Sequence, residues 1–542
     1  MASSVDLELP VRARRYWRAR PLGLSIAGWI IGALFATPLA YLLWGNATRS
    51  GFITTIREAD IPAPLFRTLI LATSTAVLSA FLGTTLAWLL ARTDLPGRRV
   101  FRKIAPLPLV FPSFIGAFCF LAAFTDGGLV ERYFLGPLGV EKLWRIEGFG
   151  WSVVVLVLFT YPYVYLPALA RISALGPSLE ESARSLGRSP LRTFTGVVLP
   201  QISGAVGAGT MLVFLYCLSE FGAVSLLRYD TLTRSIYLAT QSFDRQAAFA
   251  LSLVLAACAL VAIGAERHWA RRRVLTEAVG AGRHVIIYSL GRMKMPAVVG
   301  VVFVLVLSLF GPLSVLVQWS VRGIQNGSQV HAGRIWPALL NTARFGIFGA
   351  VIAVAIVLPI AYLSVRHPRA VVTRFSSAMA TSAFAFPGLI IGFAFVSVAA
   401  SSWVPSSLYL STELLVVAYV VHFGAQALRS AEVAVGGVPR RLDDAGRSLG
   451  ASTLRRFLRI DLPLMKSGLA AGGGLVLLSI MKELPLTLLL IPNEQDTLAL
   501  RVWSAADSLY YAQAGLFALV LVAASGVLTW LLTIRPLERS RS

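Results

Sequence analysis

The sequence predicts an all-α polytopic membrane protein with about 12 transmembrane helices in two parallel six-helix repeats. Of its 542 residues, 56% are hydrophobic and only 14% are charged, and the mean hydropathy is +0.72. Uncharged apolar runs of about 20 residues or more recur along the chain, which is typical of membrane-spanning helices. One cytoplasmic segment also occurs twice. These observations exclude a soluble multidomain enzyme and a disordered or fibrous chain.

The uncharged runs define the spans in order. One run, 375–412, is too long for a single crossing and is expected to break near 401–405, with its second part continuing to Leu428. Another, 467–481, is short and is expected to include Lys482 and Glu483 and to continue to Ile491. The remaining runs are 21–48, 68–91, 104–125, 148–170, 193–219, 246–265, 295–321, 345–365 and 508–534.

Basic residues predict the orientation of these spans. The chain has 49 Lys and Arg against 26 Asp and Glu, a net charge of +23. The basic residues concentrate before the first span and in loops 92–103, 267–294 and 429–466. This pattern places those loops and both termini in the cytoplasm, so the charge indicates membrane orientation rather than nucleic-acid binding. The first apolar run is too long for a cleavable signal peptide. The three cysteines lie within apolar runs, which favours neither a disulfide framework nor a zinc site.

The chain contains an internal repeat. Residues 179–187 recur as 442–450, at an offset of 263, and the same offset pairs Glu220 with Glu483. Upstream, residues 86–92 resemble 360–366 at an offset of 274. An even number of spans in each copy keeps both copies in the same orientation, so they are related by an axis along the membrane normal. A pathway between the two halves is the economical use of such symmetry.

Each copy carries a cytoplasmic helix–turn–helix. In the first, Ser178 and Glu181 fit a capping box, and Gly187 fits a left-handed helix stop. The alternative is that these segments are two ordinary connecting loops. Any polar loop can connect two spans, so the duplication of so specific a pattern disfavours this alternative. The second copy repeats the plan with Pro439, Gly450 and Ser452.

The duplicated pattern resembles a known signature. Membrane subunits of bacterial ABC importers carry E-A-A, three residues, G, nine residues, I, one residue and L-P. The departures are Ser182, Val197, Asp444 and Gly446, of which Gly446 is expected to loosen its helix by up to about 1 kcal/mol. The matching residues are Glu181, Ser182, Ala183, Gly187, Leu199 and Pro200 in the first copy and Asp444, Ala445, Gly446, Gly450, Leu462 and Pro463 in the second.

The resemblance implies the type I importer permease fold in the bacterial inner membrane. It covers two permease domains, 64–266 and 338–534, whose coupling helices, 178–187 and 439–450, would dock on ATPases. The other segments are the N-terminus with the first transmembrane helix (1–63), a cytoplasmic linker (267–294), the seventh transmembrane helix with an outer loop (295–337) and a tail (535–542).

Partners follow from the same resemblance. Because both permease halves are fused, one chain would pair with two copies of an ABC ATPase subunit, and a periplasmic substrate-binding protein would deliver the substrate. The sequence has no G-x-x-x-x-G-K-[ST] motif. We therefore expect that this chain is not an enzyme and binds no cofactor, and that ATP and Mg²⁺ belong to the partner subunits.

Four polar residues are predicted to line a translocation pathway: Ser219, Glu220, Lys482 and Glu483. Ionisable groups within spans are unfavourable and usually face a cavity or a partner. The alternative is that the carboxylates of Glu220 and Glu483 lie near the outer ends of their spans, where they are solvated or paired. Glycines at 204, 207, 209 and 472–474 are expected to allow close helix approach.

The residues around these carboxylates, 219–227 and 481–490, and the later segment 242–245 resemble the ferric-iron importer permeases. Ferric iron is a hard cation that prefers oxygen ligands, which is compatible with paired carboxylates. Thiamine, a polyamine, sulfate and phosphonate stay open as substrates. An ion-gradient-driven secondary transporter is a rival, but it would need coupling-ion sites at the midplane and would not need duplicated docking helices. A membrane scaffold is a further rival.

Overall fold

A computed structural model describes residues 22–47, 61–139, 145–176, 178–272, 286–325 and 332–531. Over these ranges the protein is helical, apart from an isolated parallel bridge between Thr93 and Tyr288. Ten of the described helices are long and apolar enough to cross a membrane, and two further pairs, each broken in the middle, bring the number to 12. The predicted all-α fold in two repeats is confirmed.

The first copy of the repeat contains twelve α-helices in the described residues. They are α1 (Leu22–Ala47), α2 (Pro62–Arg92), α3 (Arg98–Ile104), α4 (Ser113–Ala123), α5 (Gly148–Thr160), α6 (Pro162–Ala174), α7 (Ser178–Ser185), α8 (Pro190–Thr193), α9 (Leu199–Ser219), α10 (Gly222–Leu226), α11 (Leu232–Gln241) and α12 (Arg245–Arg272).

The second copy repeats this order. Its helices in the described part of the chain are α13 (Lys294–Leu305), α14 (Gly311–Gln325), α15 (Ile335–Arg366), α16 (Val371–Ala385), α17 (Gly388–Ala399), α18 (Thr412–Gly436), α19 (Arg440–Ser448), α20 (Thr453–Arg456), α21 (Leu462–Met481), α22 (Pro485–Leu490), α23 (Leu498–Asp507) and α24 (Tyr511–Thr529).

Two predicted spans are broken rather than continuous. The run 104–125 contains a 3₁₀ turn at Leu107–Val110 followed by α4, with a bend of 95°. Pro106, Pro108 and Pro112 lack backbone N–H donors, so an uninterrupted helix cannot form there. The matching span of the second copy breaks between α16 and α17, where Pro387 precedes the first residue of α17.

The predicted span 467–491 is wrong at both ends. The helical stretch begins at Thr453, well before Lys466, and ends at Met481. Lys482 and Glu483 follow the helix, and α22 begins at Pro485, as proline favours the first turn of a new helix. The span gains its length on the side of the basic loop, where long basic side chains can extend toward the membrane surface.

The chain divides into two compact units, of which the larger comprises Ala40–Gly346, Ala385–Ala418 and Leu478–Ser542. Here α2 packs against α6 and α9. A Cβ at Gly83 would lie 2.8 Å from the Tyr161 carbonyl oxygen, and one at Gly209 would lie 2.6 Å from the Tyr163 carbonyl oxygen. The predicted close approach is therefore confirmed at Gly209, whereas Gly204 borders open space.

The first helix of the second copy belongs to this larger unit. Val301 and Leu305 of α13 lie in one buried cluster with Leu86 of α2 and Tyr161, between α5 and α6. The first part of the seventh span thus packs into the core of the first copy, whereas its second part, α14, packs against α24 of its own copy, where the Trp319 and Tyr511 ring centroids lie 5.1 Å apart.

The smaller unit shows the reciprocal arrangement. It comprises Met1–Leu39, Ile347–Phe384 and Tyr419–Leu477. A Cβ at Gly28 of α1 would lie 2.7 Å from Leu363 Cδ1 of α15, and a Cβ at Gly424 of α18 would overlap the Phe35 ring. The first helix of each copy therefore packs against helices of the other copy.

The outward surfaces of the long helices carry large apolar side chains. Examples are Phe81 of α2, Val299 of α13 and Val351 of α15, which are 73%, 63% and 63% exposed. Apolar surface on this scale marks contact with another phase or partner, here the hydrocarbon of the membrane.

Candidate functional site

The two cytoplasmic loops have the same backbone construction. After α7, Gly187 has a φ of +78°, and after α19, Gly450 has a φ of +74°. The Gly187 N–H donates to the Arg184 carbonyl at 2.9 Å, and the Gly450 N–H donates to the Arg447 carbonyl at 2.9 Å. Both predicted left-handed helix stops are confirmed, because the positive φ favours glycine.

A serine directly precedes the second helix of each loop. The Ser189 Oγ accepts from the Arg192 N–H at 3.4 Å before α8, and the Ser452 Oγ accepts from the Arg455 N–H at 3.4 Å before α20. These are N-cap contacts. Ser178 is the first residue of α7, and its side chain lies outside the described part, so the capping box stays a prediction.

The signature residues divide into an inward and an outward group. Ala183 and Gly446 occupy matching buried positions, whereas Glu181, Ser182 and Ala445 are exposed and Asp444 is half-buried. The motif thus holds each helix to the protein by its smallest residue and presents its polar side outward. Gly187 and Gly450 follow the two helices as the stops, and Leu199, Pro200, Leu462 and Pro463 begin α9 and α21.

The same helices expose leucines beside these polar groups. Leu186 is 81% exposed and Leu449 is 87% exposed, and Leu179 and Leu442 are also exposed. Paired apolar residues at matching places on two loops are the anchor type that protein interfaces bury at their centres.

Gly446 has a packing role that the sequence did not indicate. A Cβ at this position would lie 2.9 Å from Arg456 Cδ, and Arg456 is itself buried. In the first copy the two matching positions hold Ala183 and Thr193, both buried. The smaller residue on α19 therefore accompanies a larger one on α20, which offsets the loss of helix propensity expected for glycine.

Glu220 lies at a break in its span. It follows α9 in an extended conformation, precedes α10, and is 6% exposed. Its Oε1 accepts from the Ala223 N–H at 2.8 Å, and its Oε2 accepts from the Ser113 hydroxyl at 2.6 Å. The Tyr216 hydroxyl in turn donates to Ser113 at 2.8 Å. The carboxylate therefore holds the first turn of α10 and reaches the broken span at α4.

Glu483 repeats the capping contact in the second copy. Its Oε1 accepts from the Leu486 N–H at 3.1 Å, three residues further on, as in the first copy. Gly388 begins α17 as Ser113 begins α4, so the hydroxyl contact has no counterpart at that position. Lys482, beside Glu483, donates from Nζ to the Leu109 carbonyl at 3.0 Å. Its repeat mate Ser219 bonds its own helix at Leu215.

The two breaks meet within the larger unit. A Cβ at Gly222 of α10 would lie 2.6 Å from Phe114 Cβ and 3.2 Å from Leu484 Cδ2. Leu484 is the residue that follows Glu483, and it is 1% exposed, as is Phe221. A first-copy break, a second-copy break and α4 are thus in direct contact.

The structure therefore brings the predicted pathway residues to one region and assigns contacts to them. Sequence reasoning missed Ser113, Tyr216 and the Leu109 carbonyl. The signal for the first was available, since Ser113 directly follows Pro112 in a span that the prolines break. In the described ranges, no three His, Cys, Asp or Glu side chains form a group that could hold a metal ion. The arrangement can position helices and offer single carboxylates.

Comparisons with known proteins match most of the chain. The profile of the family described as "Binding-protein-dependent transport system inner membrane component" matches twice, at residues 79–275 and 347–535. The Fe(3+)-transport system permease protein FbpB 2 of Haemophilus influenzae is 29% identical over 524 residues, which is 95% of this chain and 98% of that protein.

Sulfate permeases match one half at a time. The sulfate transport system permease protein CysT of Salmonella typhimurium is 27% identical over 262 residues, 47% of this chain and 93% of that protein. The sulfate transport system permease protein CysW of Synechocystis is 25% identical over 218 residues, 39% of this chain and 78% of that protein. The iron relative is thus similar in length to this chain, whereas the sulfate relatives are about half as long.

Proposed function

The chain belongs to the family of inner membrane components of binding-protein-dependent transport systems, and from this we propose that it forms the pathway by which an ATP-driven importer takes up ferric iron. It is a multi-pass permease subunit of an ABC importer. Its two permease halves are fused in one chain, and nucleotide hydrolysis is the task of partner subunits.

One observation carries the choice of substrate: similarity to an Fe(3+)-transport permease extends over 95% of this chain. The sulfate relatives match single halves. The chemistry of the breaks also favours a cation, because Glu220 and Glu483 occupy matching places and oxygen is the ligand that ferric iron prefers. Sulfate is the second candidate, favoured by Lys482 beside Glu483.

The two cytoplasmic loops would dock on two ATPase subunits. Each presents a short helix fixed by a glycine stop, an acidic residue at the signature position and exposed leucines. A rigid helix of this kind transmits a displacement without deforming, so closure of the ATPases would move α9 and α21, which begin at Leu199 and Leu462 directly after the loops.

The breaks would form the gate. Helix α9 ends one residue before Glu220, and α21 ends two residues before Glu483. A short helix follows each of these glutamates. Because Gly222, Phe114 and Leu484 are in contact, tilting α9 and α21 apart would separate the breaks and expose Glu220, Glu483 and Ser113 to the pathway.

The outer turns would receive the binding protein. Phe243 between α11 and α12 has a φ of 60°, and Leu509 between α23 and α24 has a φ of 63°. Both are exposed, at 86% and 66%. A left-handed backbone is strained for bulky residues, and such strain is found at functional sites. Two exposed apolar tips at matching places therefore suit a partner that spans both halves.

Reconstitution tests the proposal. The chain, its ATPase and its binding protein would be placed in proteoliposomes, and accumulation of ⁵⁵Fe delivered by the ferric-loaded binding protein would be measured with and without internal ATP. We expect uptake only with ATP and only with the binding protein. Radiolabelled sulfate in the same vesicles is the matched comparison.

Each outcome has a distinct meaning. ATP-driven uptake of sulfate without iron would leave the importer assignment and overturn the substrate. Iron uptake driven by an ion gradient, with no need for ATP, would instead support a secondary transporter. Absence of both, with the ATPase bound, would leave a scaffold.

A further inference from the structure

A buried ion pair joins the first docking helix to a transmembrane helix. Arg92 Nη2, at the end of α2, lies 3.0 Å from Glu180 Oε1 on α7, and both side chains are 1% exposed. The same Arg92 nitrogen donates to the Ile172 carbonyl at 3.1 Å and to the Leu175 carbonyl at 3.0 Å. Breaking a buried pair by removing one partner is strongly unfavourable because the other charge is left uncompensated, so α7 and α2 are held together.

Tyr288 supplies a third member of this contact. Its hydroxyl donates to Glu180 Oε2 at 3.0 Å. Its ring lies 5.1 Å from the Trp88 ring centroid and 5.3 Å from the Arg184 guanidinium carbon. Although Glu180 precedes the signature residue Glu181, it faces the opposite way: Glu181 is exposed and Glu180 is buried.

Tyr288 belongs to the last part of the predicted linker (residues 286–294), which leads into α13. Its backbone N–H donates to the Arg92 carbonyl at 2.7 Å, and its carbonyl accepts from the Asp94 N–H at 3.1 Å. Asp94 also accepts from the Leu290 N–H at 2.9 Å and pairs with Lys294 at 2.9 Å. This hydrogen bond and this charge lower the pKa of Asp94, so the segment is fixed to the end of α2 by backbone and side-chain contacts.

We propose that Tyr288 is a positioning residue that holds the Glu180–Arg92 pair, so that the first docking helix, α2 and the start of α13 move as one body during transport. This inference rests on the proposed function of α7 as a docking helix. It assigns a coupling role to the end of the connection between the two halves of the chain.

The second copy shares part of this arrangement. Arg366, which matches Arg92, donates from Nη2 to the Val438 carbonyl at 3.3 Å, as Arg92 does to Leu175. The position that matches Glu180 is Asp443, whose side chain lies outside the described part of the chain. The comparison supports the arginine as a fixing point for the backbone before each docking helix.

The contact gives a pH dependence of known sign. Burial raises the pKa of Glu180, against the opposing effects of Arg92 and of the Tyr288 hydroxyl, and the charge of Glu181 raises it further. Arg184, on the same helix as Glu180, lies over the Tyr288 ring. Burial also raises the pKa of Tyr288, so it stays a donor. Because burial raises the pKa of Glu180, its carboxylate takes up a proton at a higher pH than an ordinary glutamate, so the ion pair is lost as the pH falls.

The test is Tyr288→Phe in the complete, reconstituted complex. Removing the hydroxyl should lower the substrate transported per ATP hydrolysed by about fivefold, the factor that corresponds to losing one hydrogen bond. It should also move the acidic limb of the pH profile for this ratio to higher pH, because Glu180 loses a donor to its charged form. Binding of the ATPase should be unchanged.

Tyr161→Phe is the matched control, since Tyr161 also donates a buried hydrogen bond, to the Ala105 carbonyl at 2.7 Å, away from the docking helix. It should affect thermal stability without changing the transport ratio or its pH profile. An unchanged ratio and profile in Tyr288→Phe, or the same change in Tyr161→Phe, would overturn the inference.

A double-mutant cycle separates this inference from the proposed function. Thermal unfolding of Tyr288→Phe, Glu180→Gln and the double variant in detergent should be non-additive, because the two residues are in direct contact. Additive effects would overturn the inference even if the wild type transports. A wild type without ATP-driven uptake would contradict the proposed function, and the cycle would still decide whether Tyr288 holds Glu180.

Discussion

Glu220 and Glu483 each accept a hydrogen bond from the backbone N–H three residues further on, at 2.8 and 3.1 Å. These residues therefore start the short helices α10 and α22 as well as placing negative charge within the membrane region. Hydrogen bonds to charged groups contribute about 1.5–3 kcal/mol each, which explains how a carboxylate can be tolerated there. Capping of the short helix and negative charge are separate roles of each glutamate. Substitution by glutamine removes the charge alone, whereas substitution by alanine removes both.

The residue-scale prediction concerns charge. In the double variant Glu220→Gln and Glu483→Gln, the amide oxygens can still accept from Ala223 and Leu486, whereas the charges are removed. We expect the rate of uptake to fall to about one tenth of the wild-type rate or below, as measured by ⁵⁵Fe accumulation. Assembly with the ATPase, as measured by co-purification, should stay normal. Glu413→Gln, an exposed carboxylate at the start of α18, is the control and should transport normally.

Alanine at the same positions tests capping. Glu220→Ala should also lower the thermal midpoint of unfolding, because the Ala223 N–H and the Ser113 hydroxyl lose their acceptor. If the glutamine double variant took up substrate at the wild-type rate, the carboxylates would have a capping role alone.

At the scale of elements, the proposed docking helices α7 and α19 are small, and each is closed at its C-terminal end. A glycine stop ends α7 and α19, a serine cap begins the next helix, and a buried residue of the signature faces the protein. Their outward faces combine exposed leucines with exposed polar residues. Exposed leucines add nothing to folding, so their substitution should affect association alone.

The element-scale prediction uses these leucines. Leu186→Ser with Leu449→Ser should weaken binding of the ATPase by about tenfold or more for each site, because burying one leucine contributes about 1.5–3 kcal/mol. Titration of the ATPase onto the purified chain in nanodiscs measures this change. Leu138→Ser, in the loop between α4 and α5 and 76% exposed, is the control. Equal affinity in the double variant and the control would show that α7 and α19 are not the docking elements.

At the scale of the whole molecule, two copies of one fold share a chain, and the first helix of each copy packs in part against the other copy. Residues 22–39 of α1 pack with α15 and α18, and α13 packs with α2 and α6. Corresponding hydrogen bonds repeat, as when the Leu232 N–H donates to Thr68 and the Leu498 N–H donates to Thr342, both at 2.8 Å. The two halves therefore cannot separate without exposing the faces that these first helices cover.

The whole-molecule prediction is the stoichiometry. A chain of 58.4 kDa with two docking loops should bind two ATPase subunits, and native mass spectrometry of the solubilised complex should give one permease chain for two ATPases. Asp444→Lys alone should favour a complex with one ATPase. A wild-type complex with two permease chains, or with a single ATPase, would contradict the assignment of one docking site to each copy.

The sequence by itself determined the local features. Apolar runs gave the membrane helices because the hydrocarbon core tolerates only long apolar segments. The loops were predicted because their signals, Gly187 with Gly450 and Ser452, act over a few residues. The duplication could be recognised because the two copies keep the same spacing between the signature residues, although several of these residues differ. The same reasoning erred where prolines and glutamates compete with hydropathy: the spans at 104–125 and 467–491 break at Pro112 and after Met481, although both runs are apolar.

Only the tertiary structure decided which distant residues meet. Lys482 reaches a carbonyl at Leu109, Glu220 reaches Ser113, and Tyr288 reaches Glu180. Nor does the order of spans show that the first helix of each copy packs on the other. The physical reason is the same in each case: hydropathy and capping depend on neighbours in the chain, whereas a buried polar contact depends on which partner the packed helices bring within hydrogen-bond distance.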